Sequence, residues 1–218
     1  MRRTGRVALP RSAIEEDLVG FLRQSLPADT RLVHGLVIDG CRADVVAVMD
    51  DRLLAFVVRG EGETLEGLGD AVRSLAQVVC AITIVAHRCH FEETPCGGGR
   101  VRLAWLRDDR PARVWAWPVA PHLVADGCGH LWRADPSWSA PVSPRQSPWR
   151  MLELLERDEL KAIARALDLA GRPSATKPEL MARIAWRVPA VTIWGSVCAA
   201  FRSRTFPDAD LPVTDGSS

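Results

Sequence analysis

Apolar positions change their period several times along the first half of the chain. Ile14, Leu18, Phe21 and Leu22 fall on one helical face behind a Ser12-x-x-Glu15 pattern of capping-box type, which predicts a first helix over residues 13–26, closed by Pro27. Three apolar-rich stretches follow at residues 32–38, 43–49 and 53–59, separated by the turn-forming pairs Asp39-Gly40 and Asp50-Asp51. They predict successive antiparallel strands. Leu65, Leu68, Val72, Leu75 and Val79 then return to helical spacing, so a crossover helix is expected over residues 64–79, although Gly67 and Gly69 each cost about 1 kcal/mol of helix propensity. The helix delivers the chain to AITIVA (residues 81–86), a short, uniformly apolar run suited to a strand buried on both faces. Strand, helix and strand in this order define an α/β core.

Two further strand candidates, residues 101–106 and 113–119, come after Gly97-Gly98-Gly99. A stretch rich in Pro, Ser and Trp, residues 136–148, reads as a linker, residues 149–188 are helical in pattern, and the final PDADLPVTDGSS reads as a frayed tail. The expected organisation is therefore an α/β core over residues 1–135, a linker over 136–148, a helical module over 149–204 and a flexible tail over 205–218. The chain has no internal repeat.

With 218 residues and 47% hydrophobic content the chain can bury a real core. It has no long apolar run, and its charged start, interrupted by Pro10, lacks a signal-peptide apolar stretch; a cytoplasmic protein without membrane contact is expected. The six cysteines are scattered, as reduced thiols are. A net charge of +1 hides an asymmetry: residues 145–204 carry 11 basic against 6 acidic side chains, so any electrostatic grip on phosphate sits late in the chain. Only Lys161 and Lys177 are lysines, and the arginine-heavy usage fits a GC-rich genome as well as it fits DNA binding.

The segment CRADVVAVMDDRLLAFVVRGEGETLEGL resembles the core of small bacterial PD-(D/E)XK nucleases, with Arg42-Ala43-Asp44 and Glu63-Thr64-Leu65 matching that family. The likeness covers about fifty residues. It implies a restriction-endonuclease-like mixed sheet flanked by helices. In such nucleases an Asp and a Glu bind Mg²⁺ and a lysine orients or activates the attacking water; Glu and Lys sit two residues apart on the strand next to the Asp, so both point to one face. Here the Glu position is Val57 and the Lys position is Arg59, while a Gln and a Tyr of the following helix fall on Ala71 and Leu75. Valine offers no metal ligand. Arg59 keeps a positive charge and a planar fork, so it can hold phosphate but cannot act as a base.

On this resemblance Asp44 and Arg59 are a remnant catalytic pair, with Asp44 the one weak Mg²⁺ ligand. Glu15, Glu61 and Glu63 are candidates for a migrated acid. Against that stands the plainer reading: Asp44 orients Arg42 or caps a turn, and Glu61 and Glu63 are solvated charges at a helix start.

RDELKAIARALDLAGRPSATKPELMARIAWRV resembles a SAP-like DNA-binding module of two helices joined by an extended loop. Leu160, Ile163, Ala164 and Leu167 form one apolar stripe, and Leu180, Ile184 and Met181 a second. Thr176 and Glu179 make a capping box with Pro178 in the first turn. Lys177 at that helix start, with Arg172 upstream and Arg183 beyond, suits a phosphate, as does Arg42 in the core. A helical pair that merely packs on the core reads equally well.

His87, Cys89, His90, Cys96, Cys128 and His130 are possible zinc ligands at no standard spacing, with buried or loop thiols the default. Trp105, Trp115, Trp117, Trp132, Trp138 and Trp149 suit packing more than base stacking. The sequence points to a catalytically degenerate, DNA-associated nuclease-like protein of genome maintenance or mobile-element biology, with no cofactor. The alternatives are a Mg²⁺-dependent DNA endonuclease using a migrated acid, and a protein-interaction scaffold without nucleic-acid affinity.

Overall fold

A computed structural model describes residues 11–38, 40–93, 101–103, 112–117, 146–169, 172 and 174–206. Helix α1 (Arg11–Ser25) leads into strands β1 (Arg31–Ile38), β2 (Cys41–Val48) and β3 (Leu53–Arg59), helix α2 (Leu68–Leu75) and strand β4 (Ala81–His87). A short 3₁₀ turn (Arg88–His90) precedes β5 (Phe91–Glu93), β6 (Val101–Leu103) and β7 (Ala112–Trp117). Helices α3 (Pro148–Glu153), α4 (Arg157–Ala166), α5 (Lys177–Arg187) and α6 (Ala190–Ser203) complete the described chain.

Strands order as β1-β2-β3-β4-β7 in one mixed sheet: β1, β2 and β3 are antiparallel neighbours, and β4 and β7 add in parallel to β3. β5 and β6 pair separately. The protein is thus an α/β structure with a mixed sheet flanked by helices, as the alternation of strand and helix periods predicts.

Alternation along the strands splits the buried residues between two layers. On one face Leu32, Val45, Ala47, Leu54, Phe56, Val58 and Val85 pack against Ile14, Leu18, Val19 and Leu22 of α1. On the other, Val33, Val46, Val48, Ala55, Val57, Ile82 and Ile84 share one core with Leu68, Val72 and Leu75 of α2 and with the buried faces of α3, α4, α5 and α6. The helices of residues 149–204, expected as a module, therefore do not close a core of their own. Their stripes are completed by the sheet, and Trp194 and Phe201 of α6, 1% and 0% exposed, contribute about 2–3 kcal/mol of burial each.

Three local expectations need correction. α1 is described from Arg11, so Ser12 lies within the helix rather than at its cap, and Glu15 turns instead to His34 (Oε1 to Nδ1, 3.0 Å). α2 begins only at Leu68, because Gly67 takes a left-handed conformation (φ 73) at the helix entrance. α6 lies beyond the predicted helical stretch, although Ile193, Trp194, Val197, Cys198 and Phe201 are buried at helical spacing.

Arginines fasten the end of α6. Arg31 donates to the carbonyls of Phe201 (3.0 Å), Arg202 (2.8 Å) and Arg204, satisfying acceptors the helix leaves open. Arg202 pairs with Asp50 and Asp29, and Arg204 with Glu159. Among the described residues no helix is long and apolar enough to cross a membrane.

Candidate functional site

The β2–β3 ladder ends at Val45–Phe56, and one residue further on the side chain of Asp44 takes over from the main chain. Its Oδ2 accepts a hydrogen bond from the Val58 N–H at 2.6 Å, and Oδ1 is closed upon by the Arg11 guanidinium. Asp44 is 1% exposed, so both contacts are needed to hold a carboxylate away from water. The β1–β2 ladder omits Gly35 (φ 63), between the His34–Val45 and Leu36–Ala43 pairs, and the Arg42 guanidinium lies over that glycine; a Cβ there would come within 2.9 Å of Arg42.

Where β3 ends, Gly60 brings the next segment against α1: a Cβ on Gly60 would lie 3.1 Å from the Arg11 backbone nitrogen. The Gly60 N–H donates to Glu63 Oε2 (2.7 Å), and Arg11 Nη1 faces Glu63 Oε1 at 3.4 Å. Arg11 therefore bridges Asp44 and Glu63. Arg59 is half-buried and donates to the Val58 carbonyl (2.8 Å); burial lowers its pKa, with Glu63 opposing that shift and Arg11 adding to it. His90 Nε2 meets the Gly60 carbonyl at 2.7 Å, and the Cys89 thiol faces the Glu61 carbonyl at 3.5 Å. The cluster lies where the parallel strands β3 and β4 end, the edge at which open α/β sheets bind ligands.

The donor set does not fit the Mg²⁺ site that the nuclease resemblance implies. Asp44 and Glu63 each give one oxygen to a backbone N–H and turn the other toward Arg11. Val57 supplies no oxygen. Among the described residues no three His, Cys, Asp or Glu side chains come together as a metal cluster, whereas Mg²⁺ demands near-octahedral oxygen coordination. Cys96, Cys128 and His130 of the suggested zinc group lie outside the described residues.

The structure brings Asp44, Arg59 and Glu63 to one edge, and Arg42, 65% exposed, reaches it with its Nε 3.9 Å from Asp44 Oδ1. Glu15 pairs with His34, and Glu61 is half-buried beside Cys89. Glu63 precedes α2 by several residues, so it is not a helix-start charge.

In the C-terminal helices the Thr176–Glu179 capping box forms as expected, with Glu179 Oε2 accepting from the Thr176 N–H at 2.7 Å. Lys177 donates to the Glu153 carbonyl (2.9 Å) and Arg183 to that of Leu169 (3.2 Å), while Arg172 is exposed. Trp105, Trp132 and Trp138 lie outside the described residues; Trp149 donates to Glu153 Oε1 at 3.0 Å.

Arg11 is the residue that sequence reasoning misses. Nothing local marks it, since its partners Asp44 and Glu63 are distant in sequence. Compared with protein families, with characterised proteins and with solved structures, the chain matches none.

Proposed function

We propose that this chain is a PD-(D/E)XK-like protein that holds DNA through phosphate contacts without cutting it. One observation carries the reading: a side-chain guanidinium spans Asp44 and Glu63, the two acids that would have to receive a metal ion. The topology supports it. A helix, three antiparallel strands, a helix and a parallel strand place Asp44 beside the strand that carries Val57 and Arg59, the positions the resemblance assigns to Glu and Lys. With neither the Glu nor the Lys in place, the edge retains cations suited to phosphate, Arg59 and Arg42, and Arg172 adds an exposed one from the segment between α4 and α5.

The test is incubation of the full chain with labelled single- and double-stranded DNA in Mg²⁺, Mn²⁺ or EDTA, scored for both cleavage and band shift. A salt-sensitive shift without cleavage is expected, weakened by Arg172→Glu combined with Lys177→Glu. Absence of binding at low salt overturns the proposal. The closeness of Asp44 and Glu63, both within reach of Arg11, is what speaks for the alternative, an active endonuclease with Glu63 as the migrated acid. Metal-dependent cleavage that disappears in Asp44→Ala would establish that alternative instead.

A further inference from the structure

Trp186, in the last turn of α5, is 88% exposed, the most open of the large apolar side chains among the described residues. Trp149 is 39% exposed and has its indole N–H tied to Glu153. Leaving an indole in water forgoes burial worth several times that of a methylene, and the neighbouring residues give the exposure a direction. Arg183, one turn back at i−3, is the helix neighbour of Trp186 but is half-buried and donates to the Leu169 carbonyl, whereas Arg187, next in the chain, is exposed. Past the helix end Pro189, Ala190 and Val191 are also exposed, Val191 at 68%. From Leu180 to Pro207 the chain has four arginines and no Asp or Glu; Arg202 and Arg204 pair with acids of other elements and Arg183 lies near Glu179, which leaves Arg187 as the exposed cation next to Trp186.

A partner matched to this corner must combine a flat apolar face with negative charge. We infer that Trp186 is a stacking platform for a base of single-stranded DNA, with the exposed Arg187 next to it for a flanking phosphate. A single strand fits and a duplex does not, since base faces are covered by stacking in the duplex and free in the strand. The inference rests on the DNA-binding reading above and adds to it the strandedness of the nucleic acid and the residue that senses it.

Fluorescence anisotropy of the full chain with labelled oligothymidylate, and with a labelled duplex of the same length, tests this. Trp186→Ala is expected to weaken oligothymidylate binding by about tenfold, the effect of one stacked base, and to leave duplex binding within about a factor of two. Trp186→Phe should keep most of the affinity, because a phenyl ring still stacks, and Arg187→Glu should weaken both ligands. The side chain is exposed, so thermal melting of Trp186→Ala should match wild type.

Wild-type protein that binds neither DNA defeats the DNA reading and this inference with it. Binding that survives Trp186→Ala, or falls equally for both DNAs, defeats this inference alone. Trp186-dependent attachment to phosphatidylserine vesicles, with oligothymidylate binding unaffected by the substitution, also overturns it.

Discussion

Arg11 reaches from the first residue of α1 to Asp44, a carboxylate sealed from solvent between β2 and β3. Breaking a buried pair from one side strands the other charge, which costs more than the pair itself contributes. Arg11→Met is therefore expected to destabilise the fold by about 3 kcal/mol, the low end of the range for such pairs because Arg11 is itself about a third exposed. Urea denaturation measures this. The double variant Arg11→Met with Asp44→Asn should lose less than the sum of the single losses, since no uncompensated charge remains.

With the Asp44 and Glu63 oxygens committed to N–H donors and to Arg11, millimolar Mg²⁺ should leave the melting temperature unchanged, as should EDTA. A Mg²⁺-dependent rise in melting temperature that vanishes in Asp44→Ala would mean the guanidinium yields to the ion.

Arg172 and Lys177 separate binding from stability. Lys177 is engaged with the Glu153 carbonyl at the end of α3, whereas Arg172 is exposed. Arg172→Glu should lower DNA affinity more and reduce the salt slope by about one. Lys177→Glu should instead cost up to about 1 kcal/mol of stability, through the lost contact with the helix C-terminus. Parallel binding and melting curves of the two single variants check the division.

Glu159 links α4 to the chain after α6. Burial raises its pKa, but the Arg204 guanidinium and the Glu156 N–H outweigh that and hold it below the ordinary 4.5. A carboxylate depressed in the folded state adds stability above its unfolded pKa and loses that contribution as pH falls through the folded value. Wild type and Glu159→Gln should thus differ in stability at pH 7 and converge under acid, as followed by denaturation at stepped pH. A gap that widens in acid would contradict the assignment.

Cys198 lies in the core with its thiol pushed up to about 12, chiefly by burial and further by Cys80. Thiolate is the reactive form and access is required, so alkylation of native protein at pH 8 should spare Cys198 while modifying Cys89, the exposed one among the described cysteines. Peptide mapping after a timed iodoacetamide pulse reads the order, and early labelling of Cys198 would show that its environment opens.

Period and punctuation made much of the sheet legible: β3 runs over the predicted residues 53–59, and AITIVA became the doubly covered β4. Such signals are local. The embrace of Asp44 by Arg11 is not, because it depends on where α1 begins and on Gly60 admitting close approach of the backbone, neither of which leaves a periodic trace. The same limit explains α6. Its apolar residues are spaced as a helix requires, but the reason they must be buried is a sheet face formed well over a hundred residues earlier in the chain.

The core shared by the sheet and α6 sets the timing of folding during synthesis. Val46, Ala55 and Ile84 are made first, yet their cover includes Trp194 and Phe201, which are made more than a hundred residues later. Until then the part of that face that α2 leaves uncovered stays open to water, so the order of synthesis exposes apolar strand surface that a folding chain can aggregate through.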